Sequence, residues 1–590
     1  MFHRLTGVAA CLRALCALAA AFFAPSAHAQ ALPSETDRLV STARLWITVK
    51  FFDPSLGYRD LDWDQALVSA LPKIRSAQTA SGYEAAVRSM MRSLETSSGA
   101  SGAAPIAGQR VWIHHGLPPE TGQPSDRFYS AFLYKPGSVP GEVSVPMGGF
   151  SVQVPLSEAA LGPAIPSPAP ARLYREPYPN TELRILAAFK IWGVFHYFFA
   201  YRDLMDEDWD ALLVQFLPRL IGAKNALEYN LAIAEWLTHT ADSLAVIDSE
   251  TMTDYFGETP PGLRVRVVEK HVVITEVLDP AAAQAGIKVG DVVKKVDGET
   301  LVDRFKREAQ YVSASTPQRL AADVVSRILN GPEGASAALT IEDRAGNRKE
   351  ATLKRSRSYA AALATESPGE PLKLLRGRIG YADLRSLKRA DVEAMFDQFR
   401  AAPAIVFDMR GRPADDCIAA IAPRLAAEPD VPAAIVTGPI AAAPDLLEGS
   451  IASPSSSYFF LQTIGRSAAW KYRGKTVMLI DERTLGPGEQ AALFLEAANK
   501  TEFIGAPSAG ADSVLTSFTI PGGVSISLSG EDIRHANGGK LQRMGFLPNV
   551  SVAPTLAGIR AGKDEVLERA LDYLSPKLPA AKTQPMRAAR

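Results

Sequence analysis

Residues 38–98 and 184–244 align without a gap at a constant offset of 146 positions. A chain that repeats itself in this way builds its first half from two copies of one unit. The offset pairs Trp46 with Trp192, Asp62-Trp63-Asp64 with Asp208-Trp209-Asp210, Leu71-Pro72 with Leu217-Pro218, and Tyr83 with Tyr229. Sixteen of the 61 positions are identical. Composition alone gives about one in sixteen, so chance does not account for the match. Each copy opens with an apolar-periodic helix that carries the first Trp, "RLVSTARLWITVKFF" or "RILAAFKIWGVFHYFF". Next comes "DLDWDQALVSALP" or "DEDWDALLVQFLP", where Asp62 or Asp208 caps a second helix and Trp63 or Trp209 anchors it. A third helix is expected near Tyr83 or Tyr229. Three short helices make a small bundle, with the Trp residues in its core.

Between the copies the composition changes. "GLPPETGQPSD" and "GPAIPSPAPAR" read as Pro-rich linkers, and "GEVSVPMGGFSVQVPL" as a β-hairpin turning at Gly148-Gly149. His114-His115 is the one His pair, and no further ligands stand at metal-binding spacing from it.

Residues 258–356 change character again. "LRVRVVEKHVVITEVL" holds two β-rich runs, and "DPAAAQAGIKVGDVVKKVDGETL" follows. A short Ala-rich helix stops at Gly286, and Asp297-Gly298 makes a tight turn after the strand "VVKKV". This stretch resembles the PDZ domains attached to bacterial proteases. The resemblance implies that a peptide C-terminus adds as a strand, its carboxylate met by backbone N–H groups at Gly262, Leu263 and Arg264.

From 372 to 575 strands alternate with helices, the pattern of an α/β layer. Four segments stand out in order: "IVFDMRGRPADD", "LIDERTLGPGEQAALFLEA", "IGAPSAG" and "MGFLPNVSVAPT". Together they resemble the tail-specific, or C-terminal-processing, serine peptidases, in the branch that contains the tricorn core protease and the interphotoreceptor retinoid-binding protein. The implied fold is multidomain α+β: duplicated N-terminal helical bundles, a PDZ-like β domain, and a crotonase/ClpP-like α/β core.

A serine peptidase needs a nucleophile, a base and N–H donors for the oxyanion. The resemblance places the nucleophile three residues before Glu489, where this chain has Gly486. It places the His base at Leu244 in "TADSLAVIDS", the orienting carboxylate at Ala506, and the alternative lysine base at Ala511. The oxyanion turn carries Ala414 and Asp415 in place of two glycines. Thr484 and Ser508 are nearby hydroxyls expected to bond solvent or backbone, and Glu489 is explained by the dipole of the helix it opens. His239, five residues before Leu244, would face another way on a helix.

The N-terminus reads as an export signal. Arg4 and Arg13 precede the 11-residue apolar run Ala14–Ala24, and Ala27-x-Ala29 marks cleavage before Gln30. The run is too short to span a bilayer. Its removal takes the formal charge from −1 to −3 and leaves Cys417 as the one cysteine, so neither an internal disulfide nor a multi-cysteine metal site is available. The near-balance of 63 basic and 64 acidic side chains gives no nucleic-acid footprint.

The expected organisation is a signal peptide over 1–29, helical repeats over 30–105 and 181–257, and a Pro-rich linker with a hairpin over 106–180. A PDZ-like domain over 258–356, a tail-specific-protease-like α/β domain over 357–578 and a disordered tail over 579–590 complete it. The expected function is that of an exported, catalytically degenerate peptidase-family protein acting in peptide or ligand binding, with peptide or protein C-termini as partners and no cofactor, metal or membrane span. The competing reading is an active serine endopeptidase that cleaves periplasmic proteins near their C-termini.

Overall fold

The computed structural model describes residues 31–57, 61–96, 106–117, 130–134, 141–160, 175–364, 369–445, 457–467 and 469–575. The expected export signal and tail, most of "GLPPETGQPSD" and all of "GPAIPSPAPAR" lie outside the described residues.

The first repeat forms α1 (Glu35–Phe52), α2 (Trp63–Ser76) and α3 (Ala80–Thr96). The second forms α4 (Thr181–Phe198), α5 (Trp209–Gly222) and α6 (Ala226–Thr238). Short polar side chains stop the helices at their N-termini by accepting otherwise orphaned N–H groups. Asp62 accepts from Gln65, Asn180 from Leu183, and Asp208 from Asp210. The repeat extends to individual hydrogen bonds. The Trp63 and Trp209 indole N–H groups donate to the Trp46 and Trp192 carbonyls, each at 3.0 Å. The buried Arg38 guanidinium meets the carbonyls of Ile74, Arg75 and Pro33; that of Arg184 meets Leu220, Ile221 and Pro179. In both copies an arginine thus satisfies the last carbonyls of the second helix, where the helix dipole also favours a cation. The two triplets share one apolar core rather than standing apart. At Gly193 a Cβ would lie 2.3 Å from Ile47, so glycine permits the close crossing of α1 and α4.

The segment expected only to link the repeats does more. Its hairpin forms, from Glu142–Pro146 and Ser151–Pro155. Its first strand, β1 (Ile106–His115), also joins the C-terminal half of the chain, because His114 and His115 pair with Ala441 and Ile440.

Residues 263–354 form an antiparallel sheet of β2 (Leu263–Val268), β3 (His271–Val277), β4 (Val292–Val296), β5 (Ser336–Glu342) and β6 (Arg348–Lys354), in the order β6–β5–β4–β3–β2. Asp297 and Gly298 after β4 both have positive φ, 52° and 83°, as a tight hairpin turn requires. Helix α7 (Pro317–Arg327) packs against edge strand β2, and α8 (Arg357–Ala364) lies beside the start of that strand.

The last part is built on a six-stranded sheet of β7 (Leu372–Leu374), β8 (Gly380–Asp383), β9 (Ala404–Asp408), β12 (Lys475–Ile480), β13 (Glu502–Gly505) and β14 (Val550–Ser551), in that spatial order. All neighbours are parallel except β7 and β8. Strands β8 and β9 are buried throughout, as both-face burial of a parallel sheet demands. One face packs on α9 (Pro487–Asn499) and its neighbours, the other on the final helix, Glu565–Leu574. Strands β10 (Pro432–Ala441) and β11 (Ser457–Thr463) form a second sheet with β1. The fold is mixed α+β and multidomain. Among the described residues no helix is long and apolar enough to cross a membrane.

Candidate active site

Three loops meet beyond the carboxyl ends of β9, β12 and β13, the place where open parallel α/β sheets bind ligands. The central one, residues 481–486, ends at Gly486, which caps α9 with φ 52° and ψ −111°. That backbone is strained for any residue with a Cβ. A Cβ at this position would meet nothing within 4 Å, so it would point into open space. The strand–turn–helix corner at the head of α9 thus carries a glycine, with open space where a side chain would stand.

Glu489, read from the sequence as a partner of the helix dipole, stands in the first turn of α9 and does more than that. It is fully buried. Its Oε1 accepts from the Ser508 hydroxyl at 2.5 Å and the Gly510 N–H at 2.7 Å, and its Oε2 accepts from the Ala511 N–H at 2.9 Å. Burial raises its pKa, and these donors work against the rise. The spacing of Gly486 and Glu489 is that of a capping box from which the N-cap side chain has been removed. That spacing was the available signal for the role of Glu489.

The two nearby hydroxyls are engaged. Thr484 is buried, donates to the Met409 carbonyl at 2.7 Å and accepts the Asp481 N–H at 3.1 Å. Ser508 is buried, donates to Glu489 and accepts the Phe546 N–H at 2.7 Å. Among the described residues neither hydroxyl bonds an imidazole or an amine. Ala506 offers only a methyl group, and its N–H donates to the Ile480 carbonyl. Ala511 serves Glu489 through its backbone.

Leu244 lies in the loop after α6. Its N–H donates to Asp242, and its carbonyl accepts from Ser527. Asp242 is fully buried, which raises its pKa, and it accepts from the Ser529 hydroxyl and N–H and from Gln542, which fixes the loop. His239 turns to Glu207 at 2.7 Å. In the turn after β9, the Asp415 carboxylate accepts the Arg389 N–H.

One acid was not singled out by sequence. Asp512 follows the Glu489-binding loop, is 3% exposed, and its Oδ2 has no hydrogen-bond partner among the described residues. Burial and then the charge of Glu489 raise its pKa well above the ordinary aspartate range. Among the described residues no group of three His, Cys, Asp or Glu side chains is placed to hold a metal ion.

The Gly262–Arg264 segment opens β2. Gly262 has φ 67°, and its carbonyl accepts from Leu278 and Asp279. Arg264 is held by Glu276 at 2.8 Å and by the Leu363 carbonyl of α8, while the ring of Tyr359 stands beside Gly262. Further along β2, Arg266 reaches Asp481 and Glu482 at 3.0 and 2.8 Å, at the start of the loop that ends at Gly486.

The parallel sheet and the loops that meet at its carboxyl ends define the class: a mixed α+β multidomain fold built on an α/β layer. More narrowly, residues 378–552 match the model of peptidase family S41, so the chain carries an S41-family domain. The chain is similar to a point mutant of CPAF at 12% identity, covering 67% of this chain and 97% of that one, with a TM-score of 0.53. It is also similar to the photosystem II D1 C-terminal processing protease, at 16% identity over 65% of this chain and 98% of that one (TM-score 0.39), and to the tricorn protease, at 12% identity over 73% and 38% (TM-score 0.34). At such identities the likeness concerns the fold alone. No curated protein matches the chain.

Proposed function

We propose that this protein is an exported, catalytically degenerate S41-family homologue that holds peptides or other ligands without cutting them, in a bacterial periplasm. The observation that carries the reading is Gly486: the corner that should present a nucleophile has no side chain, and Leu244 and Ala506 leave it without base or carboxylate. An acyl transfer has no atom to begin from. The buried, fully engaged Thr484 and Ser508 supply no substitute.

In this reading residues 30–105 and 181–257 are duplicated helical bundles and 258–356 is a PDZ-like module. The strand order and the Asp297-Gly298 turn of that module support it. A peptide C-terminus adds along β2 beside α7, its carboxylate met by N–H groups at Gly262, Leu263 and Arg264. An unpaired carboxylate is costly to desolvate, so the site selects free C-termini. The test is calorimetric titration of the mature protein with one unstructured decapeptide ending in valine, as the free acid and as the amide. The free acid is expected to bind at least ~10-fold more tightly. Equal affinities would reject the binding mode.

A further inference from the structure

Gly486 caps one end of α9 and Lys500 the other, about 20 Å away at 1.5 Å per residue. At the Lys500 end the surface opens into a cavity of about 680 Å³, within the range of small-molecule sites. Its floor is aromatic. Phe503 and Phe546 are buried with ring centroids 4.8 Å apart, and His535 packs on Phe546 at 4.9 Å. Met544 and Leu547 line it as well and remain 53% and 64% exposed, although apolar side chains of this size gain by being covered.

The charges lining this cavity are unevenly used. Both acids are already paired: Glu496 with His535 at 2.8 Å, and Glu502 with Lys475 at 2.6 Å and the Tyr573 hydroxyl at 2.8 Å. Lys500 and Lys540 are exposed, and neither makes an ion pair among the described residues. An apolar floor, an uncovered apolar rim and two spare cations describe one kind of ligand.

We propose that this cavity binds a small amphipathic anion, its apolar body on Phe503 and Phe546 beneath Met544 and Leu547, its carboxylate facing Lys500 and Lys540. The same chemistry is offered by a medium-chain fatty acid and by the apolar C-terminal residue of a peptide. The site stands on different residues from the Gly262–Arg264 segment, so its success or failure is independent of peptide binding there.

The test is calorimetric titration of the full mature chain with decanoate, decanol, decyltrimethylammonium and N-acetyl-leucyl-phenylalanine. At least one of the two carboxylates is expected to bind, and decanol and decyltrimethylammonium at least ~10-fold more weakly. The double variant Lys500→Glu/Lys540→Glu, altered only at exposed positions, is expected to lose ~10-fold or more for the anions and to keep its affinity for decanol. Leu547→Asp is expected to weaken every apolar ligand. Binding of decanoate alone identifies the fatty-acid source, and binding of the dipeptide alone the peptide source. Equal binding of decanol and decanoate, anion binding unmoved by charge reversal, or no binding of either carboxylate would overturn the proposal.

Discussion

Gly486 joins two facts that pull in opposite directions. Its φ of 52° is a backbone that L residues avoid, yet the space its Cβ would enter is empty. Gly486→Ser should therefore fold, at a cost of about 1–2 kcal/mol in denaturant unfolding. It should hydrolyse nothing, because a serine hydroxyl without a base is a poor nucleophile at neutral pH. A cost above about 4 kcal/mol would mean that the space is not open. Asp512 gives a second residue-scale test. A carboxyl whose folded pKa stands above its unfolded one binds its proton more tightly when folded. Its contribution to stability therefore falls as pH rises from the ordinary aspartate range through the folded value. Asparagine does not titrate, so Asp512→Asn should gain stability relative to the parent between about pH 4 and pH 7. Parallel melting curves for the two proteins at every pH would contradict the burial of that charge. Of this site, the residue types at Gly486, Leu244 and Ala506 were legible in the sequence. The enclosure of Glu489 and the isolation of Asp512 were not, because both depend on how the 508–512 loop folds over the start of α9.

At the scale of elements, the repeat was legible in unusual detail because helix caps and Trp anchors are local signals. The matched roles of Arg38 and Arg184 were hidden, since each joins carbonyls about 36 residues away along the chain. If they do the same work, Arg38→Met and Arg184→Met should each cost about 2–4 kcal/mol, by leaving buried carbonyls unpaired. Costs that differ more than threefold in urea unfolding would deny the equivalence. The copies diverge at the end of their first helix. Lys50 pairs with Asp64 at 2.7 Å, whereas its counterpart His196 stands between Asp210 at 3.3 Å and Asp445 at 2.6 Å. Burial opposes charge on His196, but the two carboxylates outweigh it and raise its pKa. The stabilisation is then complete below the ordinary histidine pKa and is lost as pH rises through the folded value. His196→Gln should destabilise more at pH 6 than at pH 9. A cost that is the same at both would show the imidazole to be neutral throughout.

For the whole molecule, the alternation of helical and strand-rich stretches follows from periodicity and turn chemistry, but the way they are joined does not. The pairing of β1 with β10, the shared core of the two helix triplets and the reach of Arg266 to Asp481 are contacts between distant segments. Nothing local in the sequence encodes them. These contacts surround the Gly486 corner, and the proposal that it cuts no peptide bond is the one to test. The most direct measurement is incubation of the purified mature protein with an unstructured protein substrate ending in apolar residues, followed by mass spectrometry of the products. The account predicts no cleavage above a protein-free control, from the wild type or from Gly486→Ser. Cleavage by the wild type that disappears in Thr484→Val or Ser508→Ala would contradict it and establish a relocated nucleophile.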